Sequence, residues 1–309
     1  MDLQLTIRKP VSVEGIGLHT GEPARITLSP APANTGVVFR AHHADPTLIP
    51  ASLQHVVDAR FATTLGVNGA RVQTVEHLLA AAFALGIDNL LVEVEGEEIP
   101  ALDGSAKPFV ALLYAAGKAT LPIPRRPLVV GKPVRVSDGT RWLQILPADS
   151  FRISYTLDLD HPAVGTQALS FPCTERVFVE ELAPARTYGF LKDVGTLRKN
   201  GLARGGSLDN AVVVGKRAVL NGSLRYRDEF VRHKILDLIG DLALLGRPLV
   251  AHVVARNSGH ALNHQLALAI QQESAEPRGT VWGLAHPVSR LEGVRRGDGR
   301  GRRGGLAVS

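Results

Sequence analysis

The sequence predicts an α+β protein of two domains, with helices layered on β-sheets. Three observations carry the fold class. Strand-like alternation and short helical stripes occur in both halves of the chain. Strands outnumber helices and do not alternate with them strictly, which argues against a doubly wound sheet. A proline-rich break, Leu121-Pro-Ile-Pro-Arg-Arg-Pro-Leu128, falls near the middle, and it can continue neither a helix nor a central strand. The 309 residues also suit about two domains at roughly 150 residues each. The expected limits are an N-terminal domain over 1–121, a linker over 122–128, a C-terminal domain over 129–290 and a tail over 291–309. An internal duplication stays open, because the halves read alike but share no short-period repeat.

Among the strands, residues 24–29 and 89–95 show period-two patterning. Residues 151–159 put Ile153, Tyr155, Leu157 and Leu159 on one face. Residues 249–255 (LVAHVVA) are a continuous apolar run, as in a strand buried on both faces. The first helix is expected from an N-cap at Thr74 to Gly86 as the residue past its end. A second runs from about Asp228 to Gly246, with Phe230, Val231, Leu238, Ile239, Leu242 and Leu245 as its apolar stripe. A third begins near Ser258 and ends near Glu273, with Leu262, Leu266, Ala269 and Ile270 inward.

Composition excludes several classes. At 45% hydrophobic and 21% charged residues the chain is globular, not disordered. A lone cysteine, Cys173, excludes an intramolecular disulfide and a cysteine-rich zinc site, and points to the cytoplasm. No apolar run reaches the ~20 residues of a membrane span, and the start lacks the apolar core of a secretion signal. The net charge is +6, but residues 290–309 hold six arginines against Glu292 and Asp298. The body is therefore nearly neutral. Aromatics are 5%, with no basic run interleaved among them, so no nucleic-acid groove is expected. The Gly/Arg-rich tail is expected to be disordered, leaving weak contact with RNA or an acidic membrane surface as its alternative roles.

The chemistry gathers on the helices. His233, Asp237 and Asp241 recur every four residues, so they stack along one helix face. His and Asp at that spacing suit a divalent ion, or equally a hydrogen-bonded pair on a solvated face. Glu76 and His77 open an otherwise apolar helix, where an unpaired buried carboxylate is expensive. His77 offers one ligand and Glu76 an adjacent base, without the HExxH arrangement. His77, His233 and Asp237 together would leave a position for water, as in a catalytic zinc site. His260 lies in the first turn of the third helix. The helix dipole there disfavours imidazolium, so a protonated His260 needs a carboxylate, and Asp241 is the candidate.

With these segments in view, the sequence resembles the UDP-3-O-acyl-N-acetylglucosamine deacetylases, zinc enzymes of the committed step of lipid A synthesis. The resemblance rests on Thr74-Val-Glu-His-Leu-Leu-Ala80, on Phe230-Val-Arg-His-Lys-Ile-Leu-Asp237 with Ile239-Gly-Asp241, and on Ser258-Gly-His-Ala-Leu-Asn263. Gly15-Ile-Gly-Leu-His-Thr-Gly21, Ala31-Pro-Ala-Asn-Thr-Gly36, Ala101-Leu-Asp-Gly-Ser-Ala106, Ala185-Arg-Thr-Tyr-Gly-Phe190 and Gly205-Gly-Ser-Leu-Asp-Asn210 agree in order and spacing. It covers residues 1 to about 275, and it implies two similar domains, each with helices packed on a small β-sheet, with the active site between the domains.

The resemblance implies zinc ligands at His77, His233 and Asp237, a general base at Glu76, and a general acid at His260 partnered by Asp241. It implies an oxyanion-supporting hydroxyl at Thr187, a lysine near the nucleotide diphosphate at Lys234, and substrate contacts at His19 and Phe190. An insert over about 190–214, with Val194, Leu208 and Val213, would form an apolar passage for the 3-O-acyl chain. Iron(II) would fit the same ligands. The implied partner is the acylated UDP-sugar. A cytoplasmic monomer, in transient contact with a membrane surface through the acyl substrate or the tail, completes the expectation. Tyr188 departs from the usual phenylalanine, and Arg204 and Asn210 are polar in the passage segment. A hydrolase of the same mechanism acting on another amide, or an RNA-binding protein using the tail, are the competing readings; the second leaves the HxxxD helix unexplained.

Overall fold

A computed structural model describes residues 2–41 and 47–274. The expected basic tail, and the C-terminal domain beyond 274, lie outside the described residues. The structure is of the expected α+β class, built on two five-stranded sheets. The first has the spatial order Val11–Ile16, Pro23–Pro30, Leu90–Glu95, Val37–Ala41, Thr47–Pro50. The second runs Val134–Asp138, Arg141–Leu146, His252–Arg256, Arg152–Leu159, Gly165–Pro172. In both, the middle strand comes last in sequence, pairs antiparallel with one neighbour and parallel with the other.

Two pairs of helices repeat with the strands. The α-helices among the described residues are α1 (Glu76–Ala84), α2 (Lys107–Ala116), α3 (Glu175–Val177), α4 (Leu191–Lys199), α5 (Glu229–Ala243) and α6 (His260–Glu273). α1 and α5 each precede the middle strand of their sheet, and α2 and α6 each follow it. The duplication that the residues left open is thus explicit in the connectivity. α1 and α5, the equivalent helices, pack on each other. α5 also lies on Arg152–Leu159 and Gly165–Pro172, and α6 on Val134–Asp138 and Arg141–Leu146.

Burial explains this arrangement. α1 is buried from Glu76 through Ala82, as an apolar helix enclosed on all sides must be. In α5 Phe230, Val231, Leu238, Ile239 and Leu242 of the expected stripe are buried, whereas Leu245 falls past the helix end and is half-buried. Ile153, Tyr155 and Leu157 form the core face of their strand, with Leu159 only half-buried at its end.

Three local expectations need correction. Residues 249–255 are not one strand buried on both faces. Ala251 separates Leu249–Val250 from His252–Arg256, and the latter alternates, with Val253 and Ala255 buried and its other residues half-exposed. Among the described residues helices cover one face of that sheet, and His252, on the other, meets the Ser154 hydroxyl at 2.8 Å. Thr74 does not cap α1 as its N-cap residue; Val75 precedes the helix, and Thr74 adopts φ +60°. The third helix begins at His260, close to the expected start near Ser258. In the proline-rich segment, residues up to Pro124 extend the strand Lys118–Pro124, which pairs with Leu3–Ile7. That two-stranded ribbon is all edge, where proline forfeits no ladder bond.

The insert is a small β-α-β unit. Tyr188–Phe190 and Val212–Val214 pair in parallel with α4 between them. Its loop docks on the first half: Arg204 N–H donates to His19 O and Gly205 N–H to Leu18 O, both at 3.1 Å. A Cβ on Gly205 would lie 2.1 Å from Gly17 O, so only glycine allows this approach.

Candidate active site

The close crossing of α1 and α5 builds the site. A Cβ at Gly240 would meet Glu76 O at 2.1 Å. Glycine at this position lets the two backbones touch, which sets Glu76 and His77 of α1 beside Asp237 and Asp241 of α5. His77 Nε2 lies 3.6 Å and His233 Nε2 3.2 Å from Asp237 Oδ1. The three residues are buried, and one ligand atom from each lies within 4.8 Å of the others.

Several details suit this cluster to a cation. Asp237 Oδ1 is buried and has no hydrogen-bond partner among the described residues, an expensive state for a carboxylate oxygen unless a cation meets it. His233 Nδ1 donates to Ala185 O at 3.0 Å, which leaves Nε2 as the lone-pair nitrogen facing Asp237. Burial lowers the pKa of His77, favouring the neutral imidazole that can bind metal. The other oxygen of Asp237 accepts from Lys234 Nζ at 2.8 Å. Burial works against the Lys234 ammonium, but Asp237 overcomes it and holds the proton above the ordinary lysine range.

Acid and base groups flank the cluster. Glu76 Oε2 accepts from Thr63 N–H at 3.1 Å, and Oε1 lies 3.9 Å from His260 Nε2. Burial raises the Glu76 pKa to about 7, against the pull of His260. His260 Nδ1 meets Asp241 Oδ2 at 2.8 Å. Burial opposes its charged form, but the fully buried Asp241 carboxylate reverses this and raises it to about 9. The residues around His260 are tied to the strand beneath: Tyr155 O–H donates to Ser258 O at 2.7 Å, and Asn257 side-chain atoms bond both backbone groups of Asp158.

Glu76, His77, Thr187, His233, Asp237 and His260 line one cavity of about 370 Å³, with His19 and Lys234. Asp241 stands behind His260 and does not line it. Phe190 does not line it either; its ring packs against His161 and Tyr188. Val194 and Val213 are half-buried and Leu208 is exposed, all within the insert and outside this cavity. His19 reaches the insert through Ala203 N–H, 3.4 Å from its Nδ1.

Three supporting residues were not singled out from the sequence. Glu98, buried, accepts from His19 N–H, Thr20 N–H and the hydroxyls of Thr20 and Thr74. It thereby joins the His19 loop to the entrance of α1 and holds Thr74 in its left-handed conformation, uncommon for a β-branched residue. Thr63 and His264 both contact Asp241. His264 has a sequence signal, its four-residue spacing from His260; Thr63 has none, because its partner is 178 positions away.

Comparison with known proteins places the chain in a family. The family model described as LpxC, UDP-3-O-acyl N-acetylglycosamine deacetylase, matches residues 4–272. The chain belongs to this family of deacetylases. A relative from Myxococcus xanthus (strain DK1622), named UDP-3-O-acyl-N-acetylglucosamine deacetylase, is 49% identical over 272 residues, covering 87% of each chain. Relatives of the same name from Anaeromyxobacter dehalogenans (strain 2CP-C) and Idiomarina loihiensis (strain ATCC BAA-735 / DSM 15497 / L2-TR) are each 47% identical. They cover 94% and 88% of this chain, and 91% and 92% of their own length. Among the described residues no helix is long and apolar enough to cross a membrane.

Proposed function

We propose that this deacetylase hydrolyses the N-acetyl group of UDP-3-O-(3-hydroxyacyl)-N-acetylglucosamine, releasing acetate and the free 2-amine, in lipid A biosynthesis. The observation that carries the reading is the buried His77, His233, Asp237 set, with an Asp237 oxygen that has no hydrogen-bond partner among the described residues, flanked in one cavity by Glu76 and His260. Zinc fits this donor set of two imidazoles and one carboxylate, and iron(II) would fit it too. A divalent ion held there supplies Lewis acidity, making water a nucleophile at neutral pH and polarising the amide carbonyl.

The chain's own groups do the rest. Glu76, with Oε2 held by Thr63 N–H, takes a proton from the attacking water. His260, kept protonated by Asp241, gives a proton from Nε2 to the leaving nitrogen. The Thr187 hydroxyl donates to the oxygen on which negative charge develops. Lys234, charged and in the cavity wall, faces the anionic end of the substrate together with His19. The insert, with Phe190, Val194, Leu208 and Val213, holds the acyl chain. The protein works in the cytoplasm as a monomer, touching the membrane only transiently.

Metal analysis of the purified protein, combined with acetate release from the acylated UDP-sugar, tests this. About one metal per chain and turnover lost on chelation are expected. Full turnover by metal-free protein, or no turnover by zinc-loaded protein, would refute it.

A further inference from the structure

We propose that His264, acting with Thr63, is a positioning residue that fixes the Asp241 carboxylate and so aims the His260 ring into the cavity. This rests on the deacetylase reading above, in which His260 delivers the proton. His264 lies outside the segments on which the resemblance was based, one residue beyond Asn263.

The geometry is specific. Asp241 is wholly buried, and each of its oxygens has two partners. Oδ1 accepts from Thr63 Oγ1 at 2.6 Å and lies 3.1 Å from His264 Nε2. Oδ2 accepts from Asn263 Nδ2 and His260 Nδ1, both at 2.8 Å. A carboxylate only accepts, so the proton of His264 sits on Nε2. His264 Nε2 is also 3.2 Å from Thr63 Oγ1, which closes a triangle over Oδ1. Its Nδ1 is buried without a partner among the described residues, so among them the ring's hydrogen bonds go to Asp241 and Thr63.

The two histidines divide the carboxylate. They sit four residues apart on α6, hence on one face, and each takes one oxygen. Only the His260 ring continues into the cavity; His264 does not line it. With Oδ1 pinned by two donors, Asp241 cannot rotate, and Oδ2 stays in line with His260 Nδ1. Without them the carboxylate would turn toward the remaining donors, and His260 Nε2 would lose its aim at the leaving nitrogen, a misplacement to which catalysis is sensitive.

The test uses the full-length metal-loaded enzyme. His264→Leu should lower kcat about tenfold with KM within about twofold and metal content unchanged. His264→Gln, which restores an N–H toward Oδ1, should bring kcat back to within about threefold of wild type. The low-field proton resonance of His260 Nδ1–H, assigned by its loss in His260→Gln, should move in the Leu variant and return in the Gln variant. Folded His264→Leu with wild-type kcat, or Leu and Gln variants equally impaired, would overturn the proposal. Should His264→Leu not fold, Thr63→Val removes the other Oδ1 donor at constant volume. Its kcat must fall with KM held, and Thr63→Ser must restore it; failure of either overturns the proposal. Wild-type enzyme inactive on the substrate would instead fault the functional reading.

Discussion

Gly240→Ala pits two effects of known size against each other. Alanine in a helix interior is more favourable than glycine by about 1 kcal/mol, an upper bound here because residue 240 lies in the last turn of α5. The new methyl, however, would stand 2.1 Å from Glu76 O, and 2.8 and 2.9 Å from Glu76 C and Cα. Ordinary carbon contacts begin near ~3.5 Å, so α1 must retreat by about 1 Å or more. These are backbone atoms, and no rotamer change relieves them. Overpacking of this kind costs ~1–3 kcal/mol and should outweigh the gain in propensity, lowering Tm by a few degrees. The larger effect falls on catalysis. α1 carries Glu76 and His77, and α5 carries His233 and Asp237, so the retreat separates the proposed base and one proposed ligand from the other two. A misplacement of about 1 Å can cost about 10²-fold in rate. Acetate release under saturating substrate, with thermal unfolding and bound metal measured on the same preparation, checks this. An alanine variant that is more stable and retains full kcat would show that the helix crossing does not set the site.

Other outcomes are specific as well. His233→Ala should remove tight metal binding and activity together, because two ligands do not retain the ion; stoichiometric metal in the variant would refute the assigned set. In pH profiles, kcat/KM should rise as Glu76 ionises, at or below the pH of about 7 given by its raised pKa, since a bound cation favours the carboxylate. It should fall as His260 loses its proton near pH 9. Asp241→Asn should draw that alkaline limb down toward the ordinary histidine value near 6.5; an unmoved limb would assign the acid elsewhere. A raised pKa on folding also stabilises the protein below about pH 6.5, and this contribution is lost as pH rises through about 9. A substrate without its 3-O-acyl chain should react much more slowly, as each buried CH₂ contributes about 0.8 kcal/mol; equal kcat/KM would exclude an acyl-binding role for the insert.

The sequence by itself determined the local facts. The four-residue spacing of His233, Asp237 and Asp241 sets them on one helix face because the α-helix has 3.6 residues per turn. Glu76 and His77 at the head of an apolar helix had to be buried together. Period-two patterning located Arg152–Leu159, and Gly86 marked the end of α1, where it adopts φ +71°. The need of a protonated His260 for a carboxylate was also legible, since it follows from its place in a first helical turn. Tertiary structure decided what joins these pieces. No pattern shows that Glu76 O would meet a Cβ at 240, that Thr63 reaches Asp241, or that Glu98 ties His19 to Thr74, because each contact links distant segments through packing. The run 249–255 read as doubly buried because its apolar residues are continuous. Only the one-sided helix layer reveals that His252 turns away from the core. The repeated strand order was hidden for a related reason: hydrogen-bonded connectivity depends on backbone pairing, which side chains specify only as faces and not as partners.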